Sequence, residues 1–130
     1  MLSNVEVTVV SPFFNEAASL PHFLAELREV LDGLDAAYEV ILVDDGSTDD
    51  WRLTFDEVNW PECRVLQLTK NFGHQSALDA GLSEAQGAYV ITLDSDLQHP
   101  PSLIPRLLTV ARKSGCDVVY AKREERNEDS

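Results

Sequence analysis

Short apolar runs with β-branched residues recur along the chain at residues 5–10, 38–43, 64–68, 88–93 and 117–120. Several are nearly continuous rather than alternating, which suits strands covered on both faces, as in a parallel sheet. The intervals between them carry a helical period. Leu20, Phe23, Leu24, Leu27, Val30, Leu31 and Leu34 recur at spacings of three and four and make one apolar stripe. Ser19 stands where its N-cap belongs, with Pro21 in the first turn. Ala77, Leu78, Gly81, Leu82 and Ala85 make a second stripe. Leu103, Ile104, Leu107, Leu108 and Ala111 make a third, after Pro100 and Pro101. Residues 50–59 read as a weaker helix. The order β-α-β-α-β-α-β-α-β predicts a three-layer α/β fold with a mostly parallel, Rossmann-like sheet and right-handed crossovers. One domain over residues 1–121 is expected, followed by a polar tail over 122–130.

Composition narrows the function. At 130 residues with 44% hydrophobic positions, the chain is long enough to bury a core. A net charge of −13 argues against nucleic-acid binding and against attachment to an anionic membrane surface, and it leaves carboxylates for a divalent cation. No apolar run reaches the ~18–20 residues that span a bilayer. Cys63 and Cys116 have neither CxxC nor metal spacing and read as reduced, buried thiols of a cytoplasmic protein.

In open α/β sheets ligands bind beyond the carboxyl ends of the strands. The unusual polar residues fall there: "SPFFNE", "DDGSTDD", "KNFGHQ", "DSDLQH" and "KREER" follow the five apolar runs in turn. Asp94 and Asp96 share one face of an extended segment, and Gln98 continues it with a neutral oxygen. Oxygen donors of this kind suit Mg²⁺ or Mn²⁺, which complete their shell with water and substrate phosphate. In "DDGSTDD" adjacent carboxylates point in opposite directions, so Asp44 is expected to face a ligand while Asp45 faces a turn or the metal. Gly46 permits a sharp turn, and Ser47 and Asp49 are expected to cap the next helix. In "PFFNE" an aromatic ring beside Glu16 suits a nucleoside, with at least one of Phe13 and Phe14 in the core and Asn15 satisfying loop backbone groups. Lys70 beside a helix N-terminus favours an anion. His74 is either a phosphate contact or an ordinary first-turn residue. His22 reads as a surface helix residue, and His99 lies beside the metal loop.

With these motifs in place, the chain resembles the N-terminal part of a family 2 glycosyltransferase of GT-A fold. The resemblance is to the polyprenyl-phosphate transferases of the dolichol-phosphate mannosyltransferase, bactoprenol glucosyltransferase and undecaprenyl-phosphate aminoarabinose types. It rests on "VSPFFNE", "VILVDDGSTD", "LTKNFGHQSALDAGLSEAQGAYVITLDSDLQHPP" and "DVVYAKREER". It implies transfer of a sugar from a nucleotide diphosphate sugar to a lipid phosphate with inversion, at the cytoplasmic face of a membrane. It also implies roles by position. Pro12, Phe14 and Glu16 match the nucleoside-binding segment, beside the nucleotide-binding place already read for Lys70, and Asp44 matches the carboxylate that reads the base. Asp94, Asp96 and Gln98 match the metal and diphosphate site, Asp96 being the catalytic assignment. Lys122, Arg123 and Arg126 lie where the family places basic residues near the donor diphosphate or acceptor phosphate. Such catalytic domains continue further, so the chain is expected to hold the donor half, to be inactive alone and to self-associate through apolar surface left bare. Two alternatives are a receiver-type phospho-acceptor domain and a sugar nucleotidyltransferase. The first places its acidic pair after strand one, and the second carries a Gly-rich basic loop there; "SPFFNE" is neither.

Overall fold

A computed structural model describes residues 4–95 and 100–120. Five strands and four helices alternate: β1 (Val7–Phe13), α1 (Leu20–Asp32), β2 (Tyr38–Asp44), α2 (Trp51–Val58), β3 (Cys63–Gln67), α3 (His74–Glu84), β4 (Tyr89–Thr92), a 3-10 turn (Pro101–Leu103), α4 (Ile104–Ser114) and β5 (Val118–Tyr120). The sheet is parallel in the order β3-β2-β1-β4-β5. The chain steps outward from β1 to β3, then returns to the other side of β1 as β4. The carboxyl ends of β1 and β4 therefore flank the switch point, where a crevice opens.

Burial on both faces explains the continuous apolar runs. Val7, Val9, Val40, Leu42 and Ile91 pack with Leu20, Phe23, Leu24, Leu27 and Leu31 of α1 and with Ile104 and Leu108 of α4. Val10, Ile41, Val43 and Val90 face the other way, against Ala77 and Leu78 of α3. The three layers are thus α1, α2 and α4, then the sheet, then α3. Glycine at position 81 lets α3 approach the sheet, because a Cβ there would lie 2.4 Å from Val10 Cγ1 and 3.0 Å from Val43 Cγ2.

The expected elements are all present, with three differences. β1 begins later than expected and runs on through Pro12 and Phe13. The fourth crossover differs in hand. β1-to-β2 and β4-to-β5 step in opposite directions along the sheet, yet α1 and α4 cover the same face, so the two units have opposite hands. The buried Pro101 and its 3-10 turn pack on α1 and carry the chain to that side. Finally, Cys63 is buried, and burial pushes its thiol up to about 12, whereas Cys116 is exposed.

At the amino end of the sheet the buried Thr8 donates to Glu39 at 2.6 Å and accepts from Gly87 N at 2.9 Å, while Gln86 N donates to Glu39 at 2.8 Å. These bonds tie the β2 and β4 entries to β1, far from the crevice.

Candidate functional site

The crevice holds a cleft of about 320 Å³ lined by Pro12, Phe13, Phe14, Glu16, Asp45, Asn71, Gly73, His74, Asp94 and Ser95. Each of the first four strand ends contributes.

β1 supplies the first wall. Leu93 N donates to Val10 O, and Asp45 N donates to Phe13 O. Even-numbered β1 residues therefore bond toward β4 and odd ones toward β2. Pro12, which has no N–H, faces the β4 side just past the point where that ladder ends at Val10 and Thr92. The sheet opens there without leaving a donor unpaired. Phe13 turns into the core, edge-on to Trp51 at 5.2 Å, while Phe14 is 42% exposed and forms cleft wall. Glu16 accepts from the Ser19 hydroxyl at 2.7 Å. Ser19 does occupy the N-cap of α1, but its hydroxyl serves Glu16 rather than a helix N–H.

The segment after β2 organises the loops. Strand alternation sends Asp44 to the α1 side with Val40 and Leu42, and Asp45 to the α3 side with Ile41 and Val43. Both are buried, at 5% exposure. Asp44 Oδ1 accepts from Ser47 N at 2.8 Å and closes its own turn. Asp45 accepts from Phe72 N at 2.8 Å and from Gly73 N at 3.1 Å, which fixes the start of α3. Asp45 lines the cleft, whereas Asp44, for which the sequence suggests a ligand-facing position, is not among the lining residues and closes the turn through Ser47 N. Gly46 has φ +79°, and a Cβ there would fall 2.4 Å from the Lys70 carbonyl carbon. Ser47 does not cap α2; it accepts from Asn15 N at 2.8 Å. Asp49 divides its oxygens between Trp51 N at 3.4 Å and Ala17 N at 2.9 Å.

α3 supplies the third wall. Its first residue, His74, reaches across the cleft, with Nε2 3.7 Å from Asp94 Oδ1 at the end of β4. Lys70 is not among the lining residues. It is exposed, with Nζ 5.2 Å from the Phe72 ring centre. His22 is a surface residue of α1 near Glu26, as read from the sequence. Asp94 is one-third exposed and presents a carboxylate where β4 ends, and Ser95 beside it is buried. Asp96, Gln98 and His99 lie outside the described residues, as do Lys122, Arg123 and Arg126. Among the described residues no group of three or more His, Cys, Asp or Glu converges to hold a metal. Asp94 by itself fits a hard cation in donor type and access.

A crevice at the switch point, beyond the carboxyl ends of the strands, is where open α/β sheets bind their ligands. The chain belongs to glycosyl transferase family 2, whose profile matches residues 8–130. It is 41% identical over 126 residues to the undecaprenyl-phosphate 4-deoxy-4-formamido-L-arabinose transferase of Sodalis glossinidius, covering 95% of this chain and 38% of that protein. The corresponding transferase of Proteus mirabilis is 43% identical over 126 residues, again with 38% of its length covered. Among solved structures, glucosyl-3-phosphoglycerate synthase from Mycobacterium tuberculosis, in complex with Mn²⁺, UDP and phosphoglyceric acid, superposes with a TM-score of 0.66 at 27% identity. That match covers 81% of this chain and 38% of the synthase. The mannosyltransferase PcManGT from Pyrobaculum calidifontis, in complex with GDP-Man and Mn²⁺, gives 0.62 at 28% identity over 72% of this chain and 28% of its own. The chain thus spans less than two-fifths of these relatives. The GT-A fold implied by the resemblance is the fold observed, and the receiver and nucleotidyltransferase alternatives fall with the family assignment.

Proposed function

We propose that residues 1–121 carry the donor-binding half of an inverting glycosyltransferase, and that the cleft holds the nucleoside diphosphate of a sugar donor. The observation that carries this reading is the meeting of Phe14, Asp45, His74 and Asp94 around one cleft at the β1/β4 switch point. Phe14 offers a ring face to a base or ribose. Asp45 is the buried carboxylate that lines that wall, and Asp44, equally buried one residue earlier, is the base-side carboxylate that the resemblance implies. Asp94 would hold a divalent cation, Mg²⁺ or Mn²⁺, with Asp96 and Gln98 as its sequence partners. Such a cation neutralises charge on a departing diphosphate. Glu16 and the α3 start frame the space around that group.

The undecaprenyl-phosphate transferases among the relatives extend the proposal to the whole protein: transfer of a sugar to a polyprenyl phosphate, at the cytoplasmic membrane face implied by the family resemblance. Lys122, Arg123 and Arg126 are then acceptor-side candidates. A phosphate acceptor is already ionised at neutral pH, so no strong general base is required. No helix among the described residues is long and apolar enough to cross a membrane.

Calorimetry of the 130-residue chain with UDP and GDP, each with and without Mn²⁺, tests the core of this reading. Binding of at least one nucleotide that strengthens with Mn²⁺ is expected. If neither binds, or if Mn²⁺ changes nothing, the nucleotide and metal roles are withdrawn.

A further inference from the structure

The loops after β1 and β2 are joined by a reciprocal set of hydrogen bonds that no direct ligand role explains. Asn15 N donates to Ser47 Oγ at 2.8 Å. In return Thr48 N donates to Asn15 Oδ1 at 2.8 Å, and the Thr48 hydroxyl approaches the same oxygen at 3.4 Å. Ala17 N adds a bond to Asp49 Oδ2 at 2.9 Å. Asn15 holds φ +54°, a left-handed conformation that asparagine tolerates better than most side chains. Its neighbours on either side, Phe14 and Glu16, both line the cleft, whereas Asn15 does not.

We infer that Asn15 is a positioning residue for the donor site: through Ser47 and Thr48 it sets the backbone from which Phe14 and Glu16 reach the nucleotide. This rests on the nucleotide reading above. The physical reason is local. Phe14 is 42% exposed, so packing covers its ring only in part before a ligand arrives. A fixed backbone on both sides of Asn15 narrows the positions that ring can take, and preorganisation of this kind raises affinity without adding a contact. The clasp is also specific in chemistry. It needs a short side chain with an acceptor oxygen that can reach back while the backbone is left-handed, which Asn and Asp provide.

Three variants separate positioning from folding. Asn15→Gly accepts the left-handed backbone freely but removes the acceptor. Asn15→Asp keeps the acceptor, and Asn15→Ala loses it and strains the backbone. Amide exchange of Thr48 and Asn15 is followed by NMR in the ligand-free chain, and UDP and GDP affinity with Mn²⁺ is measured by calorimetry. The expected result is faster Thr48 exchange and about fivefold weaker nucleotide binding in Asn15→Gly, the scale of one lost hydrogen bond. Both properties should return toward the parent in Asn15→Asp, and Asn15→Ala should bind at least as weakly as Asn15→Gly. Unchanged affinity in Asn15→Gly while the parent binds overturns the inference alone. Thr48 exchange that is equally fast in the parent shows that the clasp does not form and also overturns it. A parent that binds neither nucleotide overturns the nucleotide reading and this inference together.

Discussion

Asp44 and Asp45 are chemically identical neighbours whose roles differ because a strand turns successive side chains to opposite faces. On the α1 side Asp44 meets the chain turning toward α2, and on the α3 side Asp45 meets the returning β3–α3 loop. The sequence shows that the two must diverge but not which of them lines the cleft, since that depends on where α3 packs. The same limit applies to Asn71 and Ser95, cleft residues inside the "KNFGHQ" and "DSDLQH" motifs for which the sequence suggests no individual role. Phe13 and Phe14 were legible as one core ring and one candidate contact, and the structure makes Phe14 the exposed one. Substituting Asp45 with Ala leaves two loop N–H groups without their acceptor and is expected to cost about 1–3 kcal/mol of stability. Urea unfolding measures it, and a variant as stable as the parent would show that the loop is held by other means. Asp94→Ala is expected to abolish the Mn²⁺-dependent gain in nucleotide affinity while leaving the urea midpoint within experimental error. A retained Mn²⁺ effect would move the cation away from β4.

At the scale of elements, the apolar period named the strands and helices of the described residues, α2 only weakly, because burial on both faces of a parallel sheet leaves little room for other patterns. Boundaries were less legible where polarity and strand coincide. Ser11 and Pro12 look like loop, yet the register continues from Ser11 opposite Leu42 to Phe13 opposite Asp44. The hand of the β4-α4-β5 unit has no sequence signal beyond the proline pair. Gly81 shows how closely two elements meet. Gly81→Ala raises intrinsic helix propensity by roughly 1 kcal/mol, but its methyl group would press into Val10 and Val43. Overpacking of about 1–3 kcal/mol is expected to outweigh that gain. Thermal melts check the sign: a lowered midpoint is expected, and a raised one would mean that α3 can shift outward at little cost.

For the whole molecule, the cleft depends on a sheet whose two apolar clusters hold four strand ends in register. Its alkaline stability follows from groups buried in that frame. Burial raises the Cys63 thiol from 9.0 to about 12, and burial together with the Asp32 hydrogen bond raises the Tyr38 phenol from 10.0 to about 12. Both are neutral at pH 7 in either state. Their contribution is fully present below the ordinary values and is lost as pH climbs through about 12. Chemical unfolding from pH 8 to 11 should show falling stability, with a shallower fall in Cys63→Ala. Identical slopes would mean that the thiol is not desolvated as the fold requires. On the donor-site proposal, a nucleoside diphosphate and a divalent cation meet at the β1/β4 switch point. Paramagnetic line broadening by Mn²⁺ in the nucleotide-bound chain tests it most directly. Amide signals of Phe14, Gly73, His74, Asp94 and Ser95 are expected to broaden, while those of Glu39, Gln86 and Gly87 at the amino end of the sheet stay sharp. Broadening centred on the amino end, or the same broadening pattern without nucleotide, would contradict it.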